Sequence, residues 1–342
     1  MKVDAALTAT ALLDVPAAAQ RIETAGYDGL YSFDSAHDPF LPLLLAAEHT
    51  ERVELTTAVA IAFARNPMTL AQVAYDLQLA SHGRFNLGLG TQIKPHIEKR
   101  FSMPWSQPAA RMRELVLAIR AIWARWHEGT PLDFRGEFYQ HTLMTPFFDP
   151  GPNPFGLPRV VLGGVGPRMT EVAGEVADGF MVHPFSTPKF MRETTLPALE
   201  RGAARGGRAL DDLDVAFPLM AIVAETDDEL GRGRDAMRMR LAFYGSTPAY
   251  RVVLEAHGWG ELQQQLNTMT KRGEWEAMTT LITDEIVDEF VVHGTPEEIG
   301  PRVLDRYGAM VQRVSFDTPT GLDPDRIARV LASFDASRRG VA

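Results

Sequence analysis

Residues 159–168 read Arg159-Val160-Val161-Leu162-Gly163-Gly164-Val165-Gly166-Pro167-Arg168, and the chain continues Met169-Thr170-Glu171-Val172-Ala173-Gly174-Glu175-Val176-Ala177-Asp178-Gly179. The apolar, β-branched run reads as a strand, three glycines interrupt it, and Pro167 suits the first turn of a helix with apolar residues at helical spacing from Met169. This predicts a strand, a tight turn and a helix whose N-terminus lacks a capping side chain. Such an end offers free backbone N–H groups and the positive end of the peptide dipoles, and glycines let an anion approach closely. Arg168 adds a guanidinium. Two readings fit the stretch alone, a phosphate cradle and an ordinary turn whose glycines serve chain reversal, because its spacing matches neither the Walker loop nor the full dinucleotide fingerprint.

Upstream, the same rhythm repeats. Strands are predicted at 2–8, 29–34, 53–61 and 84–90, with helices at 15–25, 40–49 and 68–81 between them. Asp14 reads as the N-cap of the first helix, Gly26 lies just past its end, and Asn66-Pro67 introduces the third. From 91 to 158 the rhythm stretches: a helix at 109–127 carries Met112, Leu115, Ile119, Ile122 and Trp126 on one stripe, and the Pro- and Gly-dense 146–158 reads as loop. After the opening stretch come a strand at 179–183, a helix at 188–205 and a strand at 213–224. A polar, helical region at 227–289 precedes Gly294-Thr295-Pro296-Glu297-Glu298, a strong helix start, then a strand at 313–316 and a helix at 323–334. Eight strand–helix units predict an α/β fold, a (β/α)8 TIM barrel forming one domain over 1–342, with long insertions after strands 4 and 7.

The composition, 45% hydrophobic and 23% charged over 342 residues, suits a globular chain with a large core. A formal net charge of -10 speaks against nucleic acid as a partner. No apolar run reaches the roughly 18 residues of a membrane span, and Met1-Lys2-Val3-Asp4 lacks a signal-peptide plan, so no membrane partner and a cytoplasmic location are expected. With no cysteine, thiolate nucleophiles and thiolate metal sites are excluded, and redox chemistry would need a cofactor.

A barrel binds its ligands at the C-terminal ends of its strands. The polar residues there are Thr8; Asp34, His37 and Asp38; Arg65; Thr91 and Gln92; the turn 163–168; and His183. Within Asp34-Ser35-Ala36-His37-Asp38, an imidazole that titrates near neutral pH stands beside carboxylates that can fix its tautomer, which makes His37 and Asp34 the acid–base candidates. Asp38 also reads as the N-cap of the following helix, and Arg65 as either an anion contact or a solvated arginine. No pair has metal-ligand spacing on a helix, so no metal is expected. Trp105 and Trp123 read as packing residues.

The ordered set Ala25-Gly26-Tyr27-Asp28-Gly29-Leu30, Asp38-Pro39-Phe40, Asn66-Pro67, Ser81-His82-Gly83-Arg84-Phe85-Asn86-Leu87-Gly88-Leu89-Gly90, Gly163 to Gly166 and Gly294-Thr295-Pro296-Glu297-Glu298 resembles the luciferase-like monooxygenase superfamily, within it the coenzyme F420-dependent oxidoreductases. The resemblance covers nearly the whole chain. It implies a deazaflavin lying across the strand ends, its phosphate at Gly163, Gly164, Val165 and Gly166 with Arg168 beside them. It also implies a non-proline cis peptide at Ala58-Val59 backing the ring, and Gly90 and Thr91 at the ring edge. Hydride transfer between F420 and a small organic substrate is the activity implied. The alternatives are an FMN-dependent monooxygenase using reduced flavin and oxygen, and a flavin-binding barrel without catalysis. A homodimer or higher homo-oligomer is expected from the family and from the apolar helical excess after strand seven, with a flavin or F420 reductase as a possible cofactor supplier. The chain departs from its relatives where many of them carry an adjacent Asp-His pair, since Asp34 is followed by Ser35 and the histidine comes at His37. Where some relatives have a glutamate past strand four, this chain has Gln92 and Ile93.

Overall fold

A computed structural model describes residues 1–9, 11–319 and 321–339. Eight parallel strands close into a barrel: β1 Lys2–Ala6, β2 Gly29–Ser32, β3 Glu54–Thr57, β4 Phe85–Gly90, β5 Arg159–Gly164, β6 Gly179–Val182, β7 Asp214–Val223 and β8 Arg313–Asp317. Each pairs with its sequence neighbours, and β8 closes the ring on β1 with Val3 opposite Val314. The chain is the TIM barrel predicted.

The helix between β5 and β6, Pro167–Val176, shows why the strand–helix rhythm holds. Its apolar residues Val172, Ala173 and Val176 are buried against the barrel, while Glu171 faces outward to Arg201 and Arg205. Gly174 lets the helix meet its neighbour Leu196–Arg205 closely, because a Cβ there would lie 2.2 Å from the Leu199 carbonyl oxygen.

Three local readings change. The strand foreseen at 53–61 is interrupted: β3 ends at Thr57, the Ala58-Val59 peptide is cis, and Ala60–Ile61 resumes pairing, with Ala60 opposite Leu89. Asp14 holds the N-cap position foreseen for it, but its side chain accepts no capping hydrogen bond, since Leu12–Asp14 is a 3-10 turn leading straight into the helix. A further strand, Val291–Gly294, pairs with the second half of β7; its four residues follow a helix directly and carry no turn signal of their own.

The insertion after β7 has a core of its own. Its helices Asp227–Gly245, Arg251–Glu255, Gly260–Arg272, Trp275–Thr279 and Asp284–Phe290 bury Met237, Leu241, Leu254, Leu266 and Phe290 together with Phe185, Phe190, Met220 and Ile222 of the barrel. The barrel core is a separate cluster. This second cluster fixes the insertion over the ends of β5 to β7, and Val165 of the glycine turn packs against it. Among the described residues no helix is long and apolar enough to cross a membrane.

Candidate functional site

The bulge after β3 organises the C-terminal mouth. Val59 lies across the ends of β4 and β5, so that a Cβ at Gly90 would fall 2.5 Å from Val59 Cγ2 and one at Gly163 would fall 3.1 Å from Val59 Cγ1. A side chain at Gly90 would displace Val59, and one at Gly163 would press on it, so glycine at both lets Val59 sit there. Ala58, Val59, Gly90 and Gly163, which the sequence placed at one site, are brought together.

Beyond Gly163 the turn stays open. Gly166 occupies the N-cap of the helix Pro167–Val176 without a side-chain cap, and a Cβ on it would meet nothing within 4 Å. The Gly166 carbonyl accepts from Met169 and Thr170, while the Val165 and Gly166 N–H groups, past the end of β5, have no acceptor among the described residues. Arg168 is exposed and pairs with no carboxylate among them. An uncapped helix end, glycine backbone open to approach and a free guanidinium are what a phosphate needs. The residues present thus fit the phosphate-bearing cofactor that the resemblance implies.

At the end of β4, Gln92 has φ +59°, a left-handed conformation uncommon for a residue with a side chain. Its Oε1 accepts from the Ile93 N–H at 2.9 Å, and its carbonyl accepts from Thr91 Oγ1 at 2.9 Å. The side chain is spent on shaping the loop, not on the mouth.

The loop after β2 separates its two candidates. Asp34 is nearly buried; its Oδ2 accepts from the Ile61 N–H at 2.9 Å and from Arg65 Nη1 at 2.5 Å. Arg65 Nη2 reaches Asp38 Oδ2 at 3.0 Å, while Asp38 Oδ1 accepts from the Phe40 N–H at 2.8 Å. Asp38 does serve the helix start, although Pro39 holds the N-cap position. Arg65 is thereby a clamp between two carboxylates and not a solvated arginine. His37 is exposed and makes no hydrogen bond or ion pair among the described residues. Trp123 is buried and donates to the Ala71 carbonyl at 3.1 Å, and Trp105 meets Phe63 edge-on, so both pack.

His183 was marked only by its place at a strand end, and the structure gives it more. Gly163 lies opposite Met181 and Gly164 opposite Val182, which puts His183 beside Val165 of the glycine turn. Its Nδ1 accepts from the Phe185 N–H at 3.0 Å. Tyr250 lies against the ring at 4.3 Å between centroids and Tyr244 meets it edge-on at 5.2 Å. Burial pushes the imidazole pKa down to about 4, so the ring is neutral. The two tyrosines lie on the distant insertion, where no local spacing ties them to β6. Two hollows of about 280 and 530 Å³, beside His293 and Arg302 and beside Gln264 and Met269, include none of these strand-end residues.

The fold and the strand ends define the class: a closed (β/α)8 barrel with a cis-peptide bulge packed beside an open glycine turn at its C-terminal mouth. Residues 1–313 match the family model of luciferase-like monooxygenases, and the chain belongs to that family. An uncharacterised protein of Mycobacterium tuberculosis is 53% identical over 297 residues, covering 87% of both chains. The 5,10-methylenetetrahydromethanopterin reductase of Archaeoglobus fulgidus is 28% identical over 319 residues, covering 90% of both. Among solved structures, the coenzyme F420 dependent tetrahydromethanopterin reductase from Methanopyrus kandleri superposes with a TM-score of 0.78 at 23% identity, over 97% of each chain.

Proposed function

We propose that the chain is an oxidoreductase that moves a hydride between coenzyme F420 and a small organic substrate. The observation that carries this reading is the pairing of the Val59 bulge, pressed on Gly90 and Gly163, with the uncapped turn ending at Gly166 and Arg168. The reductase among the relatives supports it. Bound across the strand ends, the deazaflavin supplies a hydride donor or acceptor that reacts poorly with oxygen.

The chain's own residues divide the remaining work. Gly163, Gly164, Val165 and Gly166 with Arg168 would hold the phosphate, Ala58 and Val59 would back the ring, and Gly90 and Thr91 would line its edge. Reducing a C=O or C=N bond adds a hydride at carbon and a proton at the heteroatom, and His37, unattached and at the mouth, is the residue assigned to move that proton. Asp34 cannot leave Arg65 and the Ile61 N–H without breaking a nearly buried ion pair and a backbone hydrogen bond, so its part is to position the loop that carries His37.

An anaerobic assay tests the reaction. Reduced F420 mixed with a panel of aldehydes, ketones and imines is expected to regain the absorbance of oxidised F420 only when the protein is present. A hydroxylated product formed from reduced FMN and oxygen, with no F420 turnover, would establish the monooxygenase reading instead.

A further inference from the structure

His183 has the geometry of a recognition group whose partner is a ligand. The backbone N–H of Phe185 donates to Nδ1, so that nitrogen carries no proton and the ring proton sits on Nε2. Nε2–H has no acceptor among the described residues, yet it is not one of the sealed, unpartnered atoms of the interior. It therefore keeps some contact with solvent. The ring itself cannot turn away from that contact, because Tyr250 covers its face and Tyr244 its edge.

The surroundings select the chemistry of an occupant. Tyr244 and Tyr250 are themselves neutral, and burial raises both phenol pKa values, that of Tyr250 to about 12. Their hydroxyls have no hydrogen-bond partner among the described residues, so the wall offers neutral polar tips on aromatic bodies. The charged groups nearest Tyr244, Arg240 and Asp317, are spent on each other in an ion pair that ties the insertion to the end of β8. An anion would find no free cation at this wall, and a cation would face a fixed N–H donor. A neutral molecule with an acceptor atom satisfies the Nε2–H and loses little on leaving water.

We propose that His183, walled by Tyr244 and Tyr250, is the substrate-recognition subsite, donating Nε2–H to a neutral acceptor such as a carbonyl oxygen or ring nitrogen. The inference rests on the reading of the strand ends as the reaction chamber. It places the substrate's acceptor one strand along from the glycine turn, on the side where the insertion closes the mouth.

Three probes of one size separate the chemistries: acetophenone carries a neutral acceptor, ethylbenzene carries none, and benzoate is an anion. Each is titrated into the full chain, with and without saturating oxidised F420, while the Nε2 resonance of histidine labelled with nitrogen-15 is followed. Acetophenone is expected to bind about ten-fold more tightly than either other probe, the worth of one hydrogen bond, and to move the Nε2 resonance. His183→Phe keeps an aromatic ring and removes the donor, so it should bring acetophenone and ethylbenzene within about two-fold of each other at an unchanged melting temperature. His183→Gln restores a donor and should recover part of the preference. Equal binding of acetophenone and ethylbenzene by the parent, a preference for benzoate, or a preference that survives in His183→Phe overturns the proposal. Failure of F420 to bind while the acetophenone preference stands would remove the cofactor reading alone. Loss of the preference with F420 binding intact would remove the subsite alone.

Discussion

The two ends of the barrel both pair charges, but only the C-terminal end also leaves donors unmatched among the described residues. At the N-terminal end Arg313, almost wholly buried, gives Nε and Nη2 to both oxygens of Asp4 at 2.8 Å and Nη1 to Glu54 at 2.8 Å. Glu54 is also paired with Lys2 and accepts from Asn86 Nδ2 at 3.3 Å, and Arg159 reaches Asp214 at 3.2 Å. These residues come from the first turns of β1, β3, β4, β5, β7 and β8, so the network ties the strands together where nothing needs to enter. At the C-terminal end Arg168 and His37 have no partner among the described residues, Gly166 leaves a helix end uncapped, and His183 keeps one N–H free. A folded chain leaves donors unmatched where a ligand completes them, and matches them where only stability is at stake.

The largest effect is expected at the closed end. Arg313→Met leaves Asp4 and Glu54 facing each other without a counter-charge, which should cost about 4 kcal/mol in denaturant unfolding, with the F420 dissociation constant of the folded fraction unchanged. A smaller effect belongs to His183. Its folded pKa of about 4 lies below the ordinary 6.5, so between those values the unfolded chain binds a proton that the folded chain refuses. Stability from this group is complete above pH 6.5 and falls as pH drops towards 4, by about 3 kcal/mol in all. The parent and His183→Phe, alike near neutral pH, should therefore diverge as the pH is lowered, with the variant becoming the more stable, and a difference that does not change with pH would contradict the burial of a neutral ring.

The open end gives a prediction in which stability and binding move in opposite directions. Gly166→Asp puts a preferred N-cap residue into space that accepts a Cβ, so the chain should gain about 0.5 kcal/mol. The new carboxylate occupies the N–H groups meant for phosphate, and F420 affinity should fall by about ten-fold or more. A variant that is more stable and binds equally well would remove the cradle. The smallest stability change is expected for His37→Ala, within about 0.5 kcal/mol for an exposed, unattached side chain. Its turnover should nevertheless drop by about a hundred-fold if the imidazole moves the proton.

Much of this contrast was legible in the chain. The alternation of apolar runs and helix starts is local, and it predicted all eight barrel strands. The glycines at 163, 164 and 166 and the bare helix start are likewise local signals, and motif order tied them to Ala58, Val59 and Gly90. Groups that depend on distant partners were hidden. Arg65 reads as either an anion contact or a solvated arginine until the fold brings Asp34 and Asp38 to it, 31 and 27 positions away. Tyr244 and Tyr250 lie more than 60 positions from His183 and meet it only because the insertion packs back over β6. The short strand at Val291–Gly294 owes its form to the exposed edge of β7's second half, which no propensity records.

The central claim, that the open end is built for F420, is tested most directly by calorimetric titration of the full chain with oxidised F420 and with FMN, alongside Arg168→Glu. Saturable binding of F420 in preference to FMN, weakened by about ten-fold or more in Arg168→Glu at unchanged melting temperature, is the predicted result. Binding of FMN without F420, or F420 binding indifferent to Arg168→Glu, would contradict it.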